Sequence, residues 1–179
     1  MTEIKAAEPA FETTASALRE KSKLRRHFRR FDMFFYLICT VLTLGVPEIT
    51  RWEAAHGPIP PDSAVIMWTG FDDRWDDPPS YLNADSAGRL HYPGFGANAA
   101  RWLIKQRLVG ALGTDTMGID PGADTSFAAN RRLLHGHRIH LENLTGLGEM
   151  PPAGGWIIVG GMRIRGGSGS PATVFGLIP

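Results

Sequence analysis

A chain of 179 residues, 43% hydrophobic and 21% charged, is long enough for one domain with its own core, and its composition excludes a disordered or fibrous polymer. The single cysteine, Cys39, excludes an internal disulfide and any cysteine-based zinc site, which agrees with a reducing, cytoplasmic setting. The net charge of +1 hides an asymmetry: residues 1–30 hold eight Lys/Arg against four Glu, so this segment is +4 and the remainder −3.

Met1 to Ala15 is polar and Ala-rich, and is expected to fray. Ser16 to Arg30, SALREKSKLRRHFRR, combines good helix formers with seven Lys/Arg and too few apolar positions for a broad buried face. A solvated basic helix is expected, with no nucleic-acid partner. Met33 to Val46, MFFYLICTVLTLGV, is apolar but shorter than the roughly 20 residues a spanning helix needs. It reads either as a buried strand or helix, or, with the basic run before it, as a membrane contact through residues 16–46. Two parts are therefore expected: a basic then apolar segment over 1–46, read as a tail, an anchor or a non-native start, and a folded domain over 47–179.

From Pro47 the elements become regular. Pro47, Ile49, Trp52 and Ala55 predict a short amphipathic helix that Gly57 ends. The continuous apolar run Ala64 to Thr69 predicts a strand covered on both faces. Phe71 to Gly96 reads as one long Asp-rich loop with interleaved aromatic residues, the kind that frames a pocket. Ala97 to Leu108 predicts a helix with Ala100, Leu103, Ile104 and Leu108 inward and Arg101, Lys105 and Arg107 outward. Val109 to Gly113 predicts a second buried strand with Thr114 and Asp115 at its end, where ligands bind in open α/β sheets.

Thr125 to Leu147, TSFAANRRLLHGHRIHLENLTGL, concentrates the chemistry. Phe127, Leu133 and Leu134 suit one face of a short helix, with Gly136 placed to end it. Along Arg138 to Glu142 the side chains alternate, so Ile139 and Leu141 share one face while Arg138, His140 and Glu142 share the other. Beyond it, Trp156 to Val159 and Met162 to Ile164 predict a strand pair, or one strand with a bulge at Gly160-Gly161. Ala172 to Ile178 is a final strand. Strands alternating with helices make the chain α/β, a mixed sheet with flanking helices.

The run N-x-x-L-L-x-G-H-x-I-x-L-E-N-L ending at Leu144, with the later GGSGSP, resembles the cyclase family of metal-dependent hydrolases, which includes kynurenine formamidases and isatin hydrolase. The blocks RWEAAHGPIP, VIMWTGFDDRW, HYPGFGANAARWL and LGTDTMGIDPG extend the resemblance over roughly Leu42 to Pro179. It implies a swivelling β/β/α domain and hydrolysis of an amide or cyclic amide by metal-activated water, with zinc or manganese as the metal. By the same resemblance Glu142 is a metal ligand, and Asn130 stands where a ligating histidine is usual, twelve residues earlier. The early family motif H-x-G-T-H-x-D-x-P-x-H does not occur in this sequence. The expectation is therefore a cyclase-like domain incomplete at its N-terminus, with impaired activity toward small aromatic amides such as N-formylkynurenine, an intermediate of tryptophan catabolism. The alternative is a non-catalytic binding or assembly protein with a membrane-associating N-terminus. A homo-oligomer is expected on either reading.

Weighed singly, the candidates differ. His140 shares the face of Glu142 and is the substitute ligand if a metal binds, whereas His135 and His137 fall in the turn before it. Asp115 and Asp120 suit a turn cap at least as well as a general base. A substrate pocket is expected around Trp68, Trp75, His91 and Asp115. GGSGSP lacks the Gly-Lys-Ser/Thr ending and following helix of a nucleotide site.

Overall fold

The computed structural model describes residues 34–38 and 43–178. The polar start, the basic segment 16–30, Cys39 and part of the apolar run 33–46 lie outside the described residues. In chain order the elements are β1 (Phe34–Ile38), β2 (Thr43–Leu44), α1 (Val46–His56), β3 (Ala64–Trp68), α2 (Pro78–Leu82), β4 (Gly94–Phe95), α3 (Ala97–Trp102), β5 (Ala111–Thr114), α4 (Ala128–Leu134), β6 (Ile139–Leu141), β7 (Ala153–Gly161) and β8 (Ala172–Leu177).

One mixed sheet carries the fold, in the order β6-β5-β3-β1-β7-β8. Strands β6, β5, β3 and β1 run parallel, β7 is antiparallel to β1, and β8 is antiparallel to β7. β1 is thus an inner strand, and the sheet draws in residues before position 47. A short parallel pair, β2 with β4, stands apart from it. Among the described residues no helix is long and apolar enough to cross a membrane.

The two-residue period of β3 explains the layering. Val65 and Met67 point to the helices, where they pack with Leu112 of β5, Ile49 of α1, Ala99 and Ala100 of α3, and Leu133 of α4. Ala64 and Ile66 point the other way, to a smaller cluster with Ala111, Leu141, Leu144 and Ile157. The first four positions of β3, Ala64 to Met67, are all buried, as a strand covered on both faces requires.

Several expectations are corrected. The region 71–96 is not one loop: it holds a 3-10 turn at Asp72–Arg74, helix α2, an antiparallel bridge between Ala84 and Leu90, and β4. The expected helix 97–108 stays α-helical only to Trp102 and continues as a π-turn at Leu103–Arg107. The wider turn slips the phase, so Leu108 takes a left-handed conformation and is exposed rather than inward. Arg107 does not point to open solvent: its guanidinium grips Glu53 of α1 at 2.6 and 2.9 Å. Helix α4 begins only at Ala128, leaving Phe127 left-handed and exposed, and Leu134 is exposed too, so only Leu133 of the expected apolar face is buried. No bulge occurs at Gly160-Gly161, which pair regularly with Thr173 and Ala172, and Met162 to Ile164 is not a strand.

Candidate functional site

The carboxyl ends of β3, β5 and β6 lie side by side, and each delivers polar groups to the same end of the sheet. Thr69 follows β3, Asp115 and Thr116 follow β5, and Glu142 and Asn143 follow β6. This is where an open parallel sheet offers a site, because the strands end and their loops diverge.

Asp115 is fully buried and holds two of these ends together. Its oxygens accept the Thr69 amide at 3.0 and 3.1 Å, the Thr69 hydroxyl at 2.8 Å and the Phe71 amide at 2.9 Å. Burial pushes its pKa up, against the pull of these donors. Asp120 is also buried, and its two oxygens accept the Ala129 amide at 2.6 Å and the Asn130 amide at 3.0 Å. It caps the start of α4 from a distant loop, a task the left-handed Phe127 cannot perform. The oxygens of both aspartates are thus taken up by the backbone, which favours the capping reading over that of a general base.

The cap fixes where Asn130 stands. Its side-chain amide lies 3.3 Å from Nδ1 of His140, and the same nitrogen lies 3.4 Å from Oε1 of Glu142. Asn130, His140 and Glu142 therefore come together, one from α4 and two from the end of β6. Burial raises the pKa of Glu142, which His140 and the Ile119 amide oppose and the nearby Asp120 carboxylate reinforces. Burial, with the charges of Glu142 and Asp120, raises the pKa of Tyr92.

Do these donors fit a divalent metal? Ligand bonds of about 2.1 Å at tetrahedral angles put neighbouring donors roughly 3.4 Å apart, close to the two spacings here. The chemistry is less complete: a carboxylate, an imidazole and an amide, with no group of three His, Cys, Asp or Glu among the described residues. The Asn130 atom nearer His140 is its amide nitrogen; with the amide turned over, its oxygen would stand there as the third donor of an open site beside Glu142 and His140. An amide oxygen suits a hard ion better than zinc.

An open cavity of about 920 Å³ adjoins the trio, lined by Arg138, His140, Glu142 and Asn143 and, on its apolar side, by Leu144 and Ile157. Trp68, Trp75 and His91 are not among the residues that line this cavity, though Trp68 packs against the cluster of Ile66, Leu144 and Ile157 beneath it. Trp68 bonds Asp72 through its indole nitrogen at 3.2 Å. His91 sits 3.1 Å from Asp85 in the turn that Arg89 closes. Trp75 is exposed, edge-on to Tyr81 at 5.3 Å. His135 and His137 occupy the turn between α4 and β6. Tyr81, Tyr92 and Thr116 were not singled out from the sequence. Tyr92 at least lay within the HYPGFG block, but a tyrosine among aspartates gives no sign of its reach.

Residues 40–121 match the family described as putative cyclase. Isatin hydrolase of Roseibium aggregatum is 34% identical over 135 residues, which are 73% of this chain and 51% of that protein. The chain thus spans about half the length of this curated relative. Among solved structures, an isatin hydrolase bound to the product analogue thioisatinate superposes with a TM-score of 0.79 at 28% identity, covering 84% of this chain and 61% of that one. Isatin hydrolase A from Ralstonia solanacearum gives 0.75 at 28% identity, covering 83% and 61%. A potential metal-dependent hydrolase with cyclase activity gives 0.60 at 18% identity, covering 81% and 64%, a likeness of fold. The expected α/β fold with a mixed sheet and flanking helices agrees with these matches.

Proposed function

We propose, since the chain belongs to the cyclase family, that it carries the part of a metal-dependent amide-hydrolase site built on β6 and α4. Glu142 holds the ion there, with Asn130 and His140 beside it. The observation that carries this reading is that the Asn130 amide and the Glu142 carboxylate each come within 3.4 Å of the His140 imidazole at the carboxyl end of a parallel strand, with His140 and Glu142 lining a cavity. The substrate class is a small aromatic amide or cyclic amide: N-formylkynurenine, as in an arylformamidase of tryptophan catabolism, or isatin, the substrate in the relatives' name.

When bound, a zinc or manganese ion supplies a Lewis acid for the amide carbonyl and lowers the pKa of water toward 7. The chain's own residues do the rest. Leu144 and Ile157 offer the apolar wall an aromatic ring needs, and Arg138 and Asn143 line the cavity's polar side. Asp120 orients Asn130 through the start of α4.

Because the sequence holds no H-x-G-T-H-x-D motif, we expect the chain alone to bind its ion weakly and to turn over slowly. The test is hydrolysis of N-formylkynurenine and of isatin by the purified chain with zinc or manganese. Slow turnover that is lost in Glu142→Ala agrees with the proposal. Efficient turnover would contradict the impairment, and any turnover that Glu142→Ala leaves unchanged would contradict the site.

A further inference from the structure

Next to Glu142 stands a residue in a conformation its type rarely takes. Asn143 has φ +55, the left-handed region that favours glycine, and asparagine tolerates it better than most. Such backbone persists where the surroundings over-determine it. Two contacts do so here: the Asn143 amide donates to the Thr116 carbonyl at 2.9 Å, and its side-chain oxygen accepts the Tyr81 hydroxyl at 2.6 Å. The left-handed turn sets the direction in which the chain leaves β6, directly after Glu142.

Tyr81 comes from far off in sequence. It belongs to α2, in the Asp-rich region, and is only 7% exposed. Its hydroxyl also lies 3.0 Å from the Asp115 carbonyl at the end of β5. The phenol has one proton and cannot donate to both acceptors at once. The shorter contact, to the Asn143 oxygen at 2.6 Å, takes that proton, and the Asp115 carbonyl at 3.0 Å is its alternative acceptor. Burial, reinforced by the Asp115, Asp72 and Glu142 carboxylates, pushes the phenol up to about 12, and the donor persists at any ordinary pH. The other edge of the ring meets Trp75, 59% exposed on the outer rim.

We infer that Tyr81 is a positioning residue: by holding Asn143 in its left-handed turn it fixes Glu142, and it latches the Phe71–Asn83 region to the candidate site. The positioning of Glu142 toward a metal rests on the function proposed above, whereas the latch itself does not.

The experiment uses the full chain and the variants Tyr81→Phe, Asn143→Gly and the double. Asn143→Gly keeps the left-handed turn without the amide. Hydrogen exchange is read at Asn143 and Leu144, whose amides bond Thr116 and Thr114, with Leu112 and Gly113 of β5 as controls. Tyr81→Phe is expected to speed exchange at Asn143 roughly tenfold, the scale of one lost hydrogen bond, with the controls unchanged. Adding Tyr81→Phe to Asn143→Gly is expected to change nothing further. Acceleration that spreads equally into β5, or that is the same in both backgrounds, would show that the tyrosine only packs. In parallel, cobalt(II) is titrated and its visible spectrum recorded. Tyr81→Phe is expected to weaken binding about tenfold and to alter the bands. Unchanged cobalt binding in Tyr81→Phe would overturn the positioning of Glu142. No cobalt binding in the unaltered chain would sink the metal site and the positioning with it, while the exchange data still decide the latch.

Discussion

Glu53 and Arg107 join helix α1 to the π-turn after α3 by a two-pronged ion pair, with the Glu53 side chain 10% exposed and that of Arg107 27% exposed. Glu53 also accepts the Ile59 amide at 2.8 Å, and the Arg107 guanidinium lies over the Trp102 ring. A hydrogen-bonded pair of this geometry is worth more than a solvated one. Arg107→Met should cost about 2 kcal/mol, the lower side of breaking a buried pair because the arginine still sees water. The Arg107 hydrogen bond holds the Glu53 pKa below its usual 4.5, against burial. The stability it contributes is therefore present above the ordinary carboxylate value and disappears as pH falls through the lowered one. Thermal melts across that range should show the gap between the parent and Glu53→Gln closing in acid. Asp115 makes a different prediction. Asn in its place would turn an NH₂ toward the Thr69 and Phe71 amides, which need acceptors. Asp115→Asn should destabilise by about 2–3 kcal/mol, readable by denaturant titration.

At the scale of elements, the sequence revealed what depends on local pattern. The apolar runs at Ala64 and Ala111 are strands covered on both faces, and the alternation from Ile139 to Glu142 put His140 beside Glu142 as the structure does. What it hid depends on turns that shift phase or on contacts between distant residues. A π-turn moved Leu108 outward and a late start to α4 freed Phe127, neither of which a 3.6-residue period reveals. Asn130 could be named from the resemblance, but its placement depends on Asp120, ten residues earlier and outside the helix. Tyr81 was illegible for the same reason, since its partner Asn143 is 62 residues away. Asp120→Ala should cost about 1–2 kcal/mol as a lost cap and should also weaken metal binding by freeing Asn130. A melt shift without any change in metal affinity would separate the helix from the site.

Across the whole molecule, the helix-covered face of the sheet and the hairpin beyond it differ. On the outer face of β7 and β8, Trp156 and Ile158 stand opposite Leu177 and Phe175, all four exposed, and β8 is an edge strand. Contiguous apolar surface beside an open edge is a site for association. We propose that a second copy covers it, since an antiparallel hairpin can pair edge to edge with its own twofold mate. Light scattering should give a dimer mass that Phe175→Asp lowers to that of a monomer; a monomer in the parent chain would contradict this.

If Glu142, with His140 and Asn130 beside it, holds a divalent ion at the end of β6, equilibrium binding reads it directly. The purified chain is titrated with zinc and with manganese, and bound ion per chain is determined for the parent and for Glu142→Ala. The account predicts weak binding that saturates near one ion per chain and is abolished in the variant. An absence of binding at saturating metal, or binding that Glu142→Ala leaves unchanged, would contradict it.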